Sequence, residues 1–291
     1  MRTKRLTTFD VIVYIISTIL LLIVLYPLIL VLANSVSDPN YVASGQVVLL
    51  PKGFNLDGYQ AVFGAKDIMN GYANTIFYTV VGTVINLIVT LPAGYALTKK
   101  AVPGRNFVMT VFMITMYFSG GMIPTFLLVN NLGLYNTRAV LLILGAFSVY
   151  NCIICRSFFT ALPKELEESA ELDGCTPIRT FIQIVLPLSK ALIGVMVLYF
   201  GVAHWNSYFS AMIYLLDEDK KPLQLVLRRI LLRAQALSLM EEGGEYAAMM
   251  ADREAMIRYS VIVVSAAPLL IIYPFLQKYF DKGVLIGSVK G

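Results

Sequence analysis

Charge is what this chain has least of. Only 14% of its residues are charged and 58% are hydrophobic, whereas a soluble domain carries about 25% charged residues. The deficit excludes a water-soluble fold and implies an all-α integral membrane protein, a helix bundle in lipid. Histidine occurs once, as His204, which excludes paired-histidine metalloprotease motifs and most histidine-based metal sites. Cysteine occurs three times. Cys152 and Cys155 fall in an apolar run, where small apolar packing accounts for them, and Cys175 stands in a polar loop. An odd count with no extramembrane pair argues against a disulfide framework. No Gly-x4-Gly-Lys-Ser/Thr run occurs, so the chain brings no phosphate-binding loop of its own. Nothing in it reads as an enzyme or as a cofactor or metal site. The net charge of +5 is scattered among loops, without the aromatic-interleaved basic patch that nucleic acid requires.

Long apolar runs are what the chain has in abundance. A hydrocarbon core of roughly 30 Å needs about 20 residues of helix. Six stretches qualify, at about 11–33, 73–97, 107–129, 139–155, 191–215 and 259–277, and none holds an Asp, Glu, Lys or Arg. The first is longer than a signal-peptide core and lacks a cleavage pattern, so it reads as a retained span. Prolines 27, 92, 124, 268 and 274 lie within or near these runs, as membrane helices tolerate. Gly120-Gly121 with Pro124 predicts a bend or break in the third. Six spans place both termini on one side. Arg2, Lys4, Arg5, Lys99, Lys100, Arg105 and Arg156 flank spans closely on that side and assign it to the cytosol. Residues 34–72 read as irregular structure. Leu223 to Met240 predicts an amphipathic surface helix carrying Arg228, Arg229 and Arg233, and Glu241 to Glu245 a flexible turn.

The absence of charge inside the spans carries a second message. Proton- and ion-coupled transporters commonly place ionisable relays there. A chain without them takes its power from elsewhere.

One polar loop suggests how. Glu165 to Gly174 has helical composition. Pro163 suits its start, acidic residues crowd its positive end and Gly174 suits its stop. A second short helix is predicted from Pro177 to about Ile184, with Pro187 opening the fifth span. Two short helices tied to spans four and five form a knob that can receive a push. Glu168-Ser169-Ala170, Gly174 and Ile184-Val185-Leu186-Pro187 resemble the EAA loop of ABC importer permeases: Glu-Ala-Ala, three residues, Gly, nine residues, Ile-x-Leu-Pro. Ser169 replaces the middle alanine, small for small. Leu50-Pro51-Lys52-Gly53-Phe54 with Tyr59, Trp205-Asn206, and Gly287-Ser288-Val289-Lys290-Gly291 are similar to maltose-type sugar permeases, the tail to the smaller subunit. Tyr117-Phe118-Ser119-Gly120-Gly121-Met122-Ile123-Pro124, with Asn131 to Thr137, resembles the subgroup for complex oligosaccharides.

The resemblance implies one transmembrane permease domain over 1–291, with the core importer fold at about 70–280 and the first span outside it. It implies a multi-pass protein of the bacterial inner membrane. Its partners would be a second homologous permease, two ATP-binding subunits that hold ATP and Mg, an extracytoplasmic binding protein, membrane lipid and an oligosaccharide. Glu168, Ser169, Ala170, Asp173, Gly174, Ile184, Leu186 and Pro187 would couple to the ATPase. Sugars are held by aromatic stacking and by hydrogen bonds to hydroxyls. Asn86, Tyr117, Ser119, Tyr150, Asn151, His204, Asn206 and Tyr208 are therefore the candidate path residues, each of them also explicable as an interfacial aromatic or a helix-bridging polar group. The competing readings are an ABC permease for another solute, such as a peptide or polyol phosphate, a self-contained ion-coupled transporter, and a membrane scaffold or sensor.

Overall fold

The computed structural model describes residues 7–238 and 257–274. Among them helices dominate, and the only β pairing is an isolated bridge between Ser37 and Phe54. In chain order the helices are α1 Thr8–Ser35, α2 Pro39–Ala43, α3 Asp57–Gly64, α4 Lys66–Ala96, α5 Arg105–Tyr117, α6 Met122–Asn131, α7 Arg138–Leu144 and α8 Val149–Thr160. Then come α9 Glu165–Leu172, α10 Pro177–Thr180, a π turn Phe181–Val185, α11 Leu186–Leu188, α12 Lys190–Trp205, α13 Phe209–Tyr214 and α14 Leu223–Ser238. The last described is α15, Ile257–Pro274. Residues 7–69 with 226–238 and 257–267 form one compact unit; residues 70–225 with 268–274 form another.

Three helices, α1, α4 and α15, are long and apolar enough to cross a bilayer unaided. Three more candidate spans are bent pairs: α5 with α6 at 114°, α7 with α8 at 48°, and Pro177–Leu188 with α12 at 83°. The break between α5 and α6 falls where Gly120-Gly121 predicted it. Gly121 sits at φ 87, a region in which only glycine is unstrained, and its N–H donates to Ser119 Oγ at 3.2 Å.

Three expectations need correction. Residues 34–72 are not irregular: they hold α2, α3 and the start of α4. Asp38 caps α2, accepting from the Asn40 N–H, and Pro39 occupies its first turn. Leu50 to Phe54 folds back on residues 36–38, with the Asp38 N–H donating to Lys52 O at 3.0 Å and the Asn55 N–H to Val36 O at 2.9 Å. The stretch 191–215 is not one helix: α12 ends at Trp205, and α13 begins at Phe209. Pro187 does not open the fifth span. It lies in α11, and α12 starts only after Ser189, whose hydroxyl turns back to Val185 O at 2.7 Å. Hydropathy measures length and not direction, so polar or glycine-bearing breaks inside an apolar run pass unseen. Leu223 to Ser238 is helical as expected. Arg2, Lys4, Arg5, Glu241 to Glu245, and Gly287 to Gly291 lie outside the described residues.

The unit spanning 70–225 has its largest apolar cluster where α4, α8, the π turn and α12 meet, around Leu91, Cys155, Phe159, Phe181, Met196 and Phe200. Glycine sets the closest approach. A Cβ on Gly94 of α4 would lie 2.7 Å from Cys155 Cβ and 3.2 Å from Arg156 N on α8. Cys152 and Cys155 are both fully buried and free, as the packing reading expected.

Candidate functional site

The knob is built from its own sequence. α9 begins after Pro163-Lys164, with Glu165, Glu167 and Glu168 in its first turn, where carboxylates oppose the helix dipole favourably. It ends in a Schellman motif. Gly174 takes φ 75, its N–H donates to Glu171 O at 3.0 Å, and the Cys175 N–H donates to Ala170 O at 2.9 Å. The spacing from Ala170 to Gly174 thus has a physical reason. Ala170 supplies the carbonyl that closes the outer bond of the motif and packs inward at 4% exposure, so a larger side chain would lift the helix off. Glu168, Ser169, Asp173 and Gly174 remain exposed. Leu172 is 90% exposed and Ile178 72%, with Ile182 beside them in sequence also exposed.

The knob is rooted on the carboxyl end of α4. Lys99 Nζ pairs with Glu167 Oε2 and lies 4.7 Å over the Tyr95 ring. Tyr95 stacks on Phe181 at 4.9 Å and meets Phe159 edge-on at 5.9 Å. Burial works against the Lys99 charge, but hydrogen bonds to Glu167 and Tyr95 outweigh it, so its pKa is raised. Arg105 donates to Thr98 O at 3.1 Å and Arg156 to Leu97 O at 3.3 Å. Cations that the sequence offered as topology markers are therefore spent on α4's terminal carbonyls, as the dipole favours. Replacing Lys99 with methionine, or Glu167 with glutamine, is expected to lower thermal stability in detergent modestly. A double-mutant cycle should return a coupling of about 0.5–1 kcal/mol, as for a partly exposed pair.

The path candidates divide. Asn86, Asn151 and His204 border one cavity of about 340 Å³. Asn86 Nδ2 donates to Gly145 O, so its Oδ1 must face His204 Nε2, 2.7 Å away. Since Oδ1 can only accept, Nε2 carries the proton. The ring is held between two glycines: a Cβ on Gly82 would lie 2.5 Å from it, and one on Gly145 3.5 Å. Asn206 and Tyr208 belong to the adjoining α12–α13 break but do not line the cavity; Asn206 Nδ2 turns back to Val202 O at 3.0 Å. Tyr117 and Ser119 sit at the α5–α6 break, and Tyr150 is exposed on α8. The sequence reading missed Gly145, Phe147, Ser148, Phe200, Ser207 and Ser210, which also line the cavity. The part of this lining at the α7–α8 break was legible in principle. Gly145 at a C-cap and Ser148 at an N-cap, accepting from the Asn151 N–H, follow the ordinary stop and start pattern.

At the amino end of α4 a second fastening was also missed. Asn74 Nδ2 donates to Asp219 O at 2.6 Å and Tyr78 OH to Lys220 O at 2.8 Å, and Thr75 Oγ1 accepts from the Leu223 N–H at 2.8 Å. Asn136, at φ 58, accepts from the Leu216 and Asp217 N–H groups on its Oδ1 at 3.0 and 3.1 Å. Hydrogen bonds from Lys220 and Asn136 hold the Asp217 carboxyl below its usual pKa. No group of three or more His, Cys, Asp or Glu able to hold a metal ion occurs among the described residues.

Comparison with known proteins agrees with this geometry. Protein LplC of Bacillus subtilis is 41% identical over 269 residues, covering 92% of this chain and 90% of the relative. The polygalacturonan/rhamnogalacturonan transport system permease protein YtcP of the same organism is 38% identical over 283 residues, covering 97% and 98%. A crystal structure of a bacterial ABC transporter involved in the import of the acidic polysaccharide alginate contains a chain that superposes with a TM-score of 0.84 at 34% identity, covering 96% of this chain and all of that one. Residues 68–286 match the family described as binding-protein-dependent transport system inner membrane component. The chain belongs to that family and is the permease subunit of an ABC importer in the inner membrane.

Proposed function

We propose that this subunit carries oligosaccharides through the membrane as one of two homologous permeases. Two ATP-binding subunits that hold ATP and Mg drive it, and an extracytoplasmic protein delivers the sugar. The chain crosses the membrane six times, by α1, α4, the bent pairs α5–α6 and α7–α8, α12 and α15, with both termini in the cytosol. The knob from Glu165 to Pro187 then lies in the cytosol, and Glu168, Ser169, Asp173 and Gly174 face an ATPase cleft. Ala170, Ile184, Leu186 and Pro187 root the knob on spans four and five. ATP-driven closure pushes the knob and re-orients the spans around Asn86, Asn151 and His204.

The observation that carries this reading is the knob itself: α9, anchored just past the carboxyl end of α4 by Lys99–Glu167, with Leu172 at its end and Ile178 on α10 both bare. Buried apolar area contributes roughly 25 cal/mol per Å², so an acidic knob with uncovered leucine and isoleucine is unfavourable in water and suited to a partner. The test is reconstitution with the sister permease, the ATPase and the binding protein. ATP-dependent uptake should require all of them, and Leu172→Cys should cross-link to the ATPase. Uptake by this chain alone, or no cross-link from α9 to another subunit, overturns the proposal. Uptake of a peptide or polyol phosphate in place of sugar would retain the machine and change its cargo.

A further inference from the structure

The cavity around His204 has an unusual wall. The α7–α8 break at 145–148 contributes Gly145, Phe147 and Ser148, and the α12–α13 break at 206–208 contributes Ser207. Interrupted helix is tolerated at membrane depth only where it is buried in protein or lines a cavity, and two separate interruptions here open onto the same one. The polar groups facing it are partly unspent. Asn151 is 9% exposed, and its backbone N–H donates to Ser148 Oγ at 3.3 Å. Its side-chain amide, like the Ser207 and Ser210 hydroxyls, has no hydrogen bond among the described residues. Asn86, by contrast, has both polar atoms engaged, Nδ2 with Gly145 and Oδ1 with His204, and serves to hold the histidine.

Resting on the oligosaccharide-permease reading, we infer that this cavity receives one uncharged, hydroxyl-bearing sugar ring, bound by Asn151, Ser207 and Ser210 beside Phe147 and Phe200, and that it discriminates against a carboxylate. The chemistry decides the class. Amides and hydroxyls donate and accept, as sugar hydroxyls do, and the two rings offer stacking surfaces. None of the lining residues is Lys, Arg, Asp or Glu. Moving an unpaired carboxylate out of water costs several kcal/mol after relaxation, and a neutral amide and two hydroxyls do not replace a cation. A volume of about 340 Å³ lies at the lower end of ligand pockets, which fits a single ring and not a chain. The inference therefore separates this subunit's cavity from the acidic cargo of its structural relative: where a transported glycan carries carboxylates, another surface must neutralise them.

The test uses the complete importer in nanodiscs with its ATPase and binding protein. Uptake of a neutral oligosaccharide is compared with that of the same oligosaccharide oxidised to the uronate at one ring. Wild type should move the neutral form with at least a tenfold advantage in kcat/KM. Asn151→Leu, which keeps the branching but removes the amide, should lower neutral uptake five- to tenfold, Asn151→Gln should restore much of it, and Ser210→Lys should narrow the advantage. Co-elution with the sister subunits checks that each variant folds. Neutral uptake unchanged in Asn151→Leu overturns the site, and a wild type that moves the uronate as well as or better than the neutral form overturns the class. Failure of wild type to move any oligosaccharide would instead sink the underlying function.

Discussion

Gly94→Ala will destabilise the permease by about 1–3 kcal/mol, the usual range for an extra methyl forced into a packed core. An alanine in mid-helix ordinarily gains up to about 1 kcal/mol over glycine, so the sign depends on whether the neighbours can move. At Gly94 they cannot move cheaply. The added Cβ would stand 2.7 Å from Cys155 Cβ, 3.2 Å from Arg156 N and 3.3 Å from Cys152 O. These are main-chain and first side-chain atoms of α8, so the two helices must separate. Separation also opens the cluster around Leu91, Tyr95 and Phe159 and pulls Leu97 O from Arg156. The measurement is the unfolding midpoint in detergent, alongside the yield of monodisperse protein. Cys155→Ser should be nearly neutral and Cys155→Gly should partly rescue Gly94→Ala, because it removes the nearest atom. A Gly94→Ala protein as stable as wild type would mean that α4 and α8 do not meet at this position.

That contact also shows where reading the sequence stops. The apolar runs announced a membrane bundle because burial in lipid is a property of composition. The knob was legible because its helix signals are local: acidic residues in the first turn, an αL glycine after the last, and proline on either side. The partner of Gly94 is set by tertiary packing, and a glycine in an apolar run looks the same whether it touches a helix or lipid. Lys99 was read as a topology charge, and its pairing with Glu167 across 68 residues has no local sign. Asn86, Asn151 and His204 were chosen by residue type and do share one cavity. Tyr117, Ser119 and Tyr150 were chosen on the same grounds and do not join it, because helical direction, and not type, decides which side chains converge.

Gly174→Val is expected to cut sugar transported per ATP hydrolysed to about a tenth or less. At φ 75 a β-branched residue is a conformational outlier, and left-handed backbone costs an L-residue about 1–2 kcal/mol. The alternative is to abandon the turn, which forfeits the Cys175–Ala170 and Gly174–Glu171 bonds, each worth about 1 kcal/mol net. Either way the chain leaves α9 in a different direction, and the knob no longer presents Leu172 and Ile178 together. Because each 1.4 kcal/mol is a tenfold change in population, a modest local cost produces a large loss of coupling. Within this chain a Cβ at 174 meets no atom within 4 Å, so the cost is conformational and not steric. That makes a substitution series informative. Asn tolerates the left-handed region and should retain coupling within about twofold, Ala should fall between, and Val should be poorest. Gly174→Asp separates backbone from charge: the same αL tolerance comes with a third carboxylate near Glu171 and Asp173, so a loss well beyond that of Asn would report repulsion at the contact. If Gly174→Asn were as poor as Gly174→Val, the backbone argument would be wrong. The glycine would then be required by the tightness of the surface against it, leaving no room for any side chain.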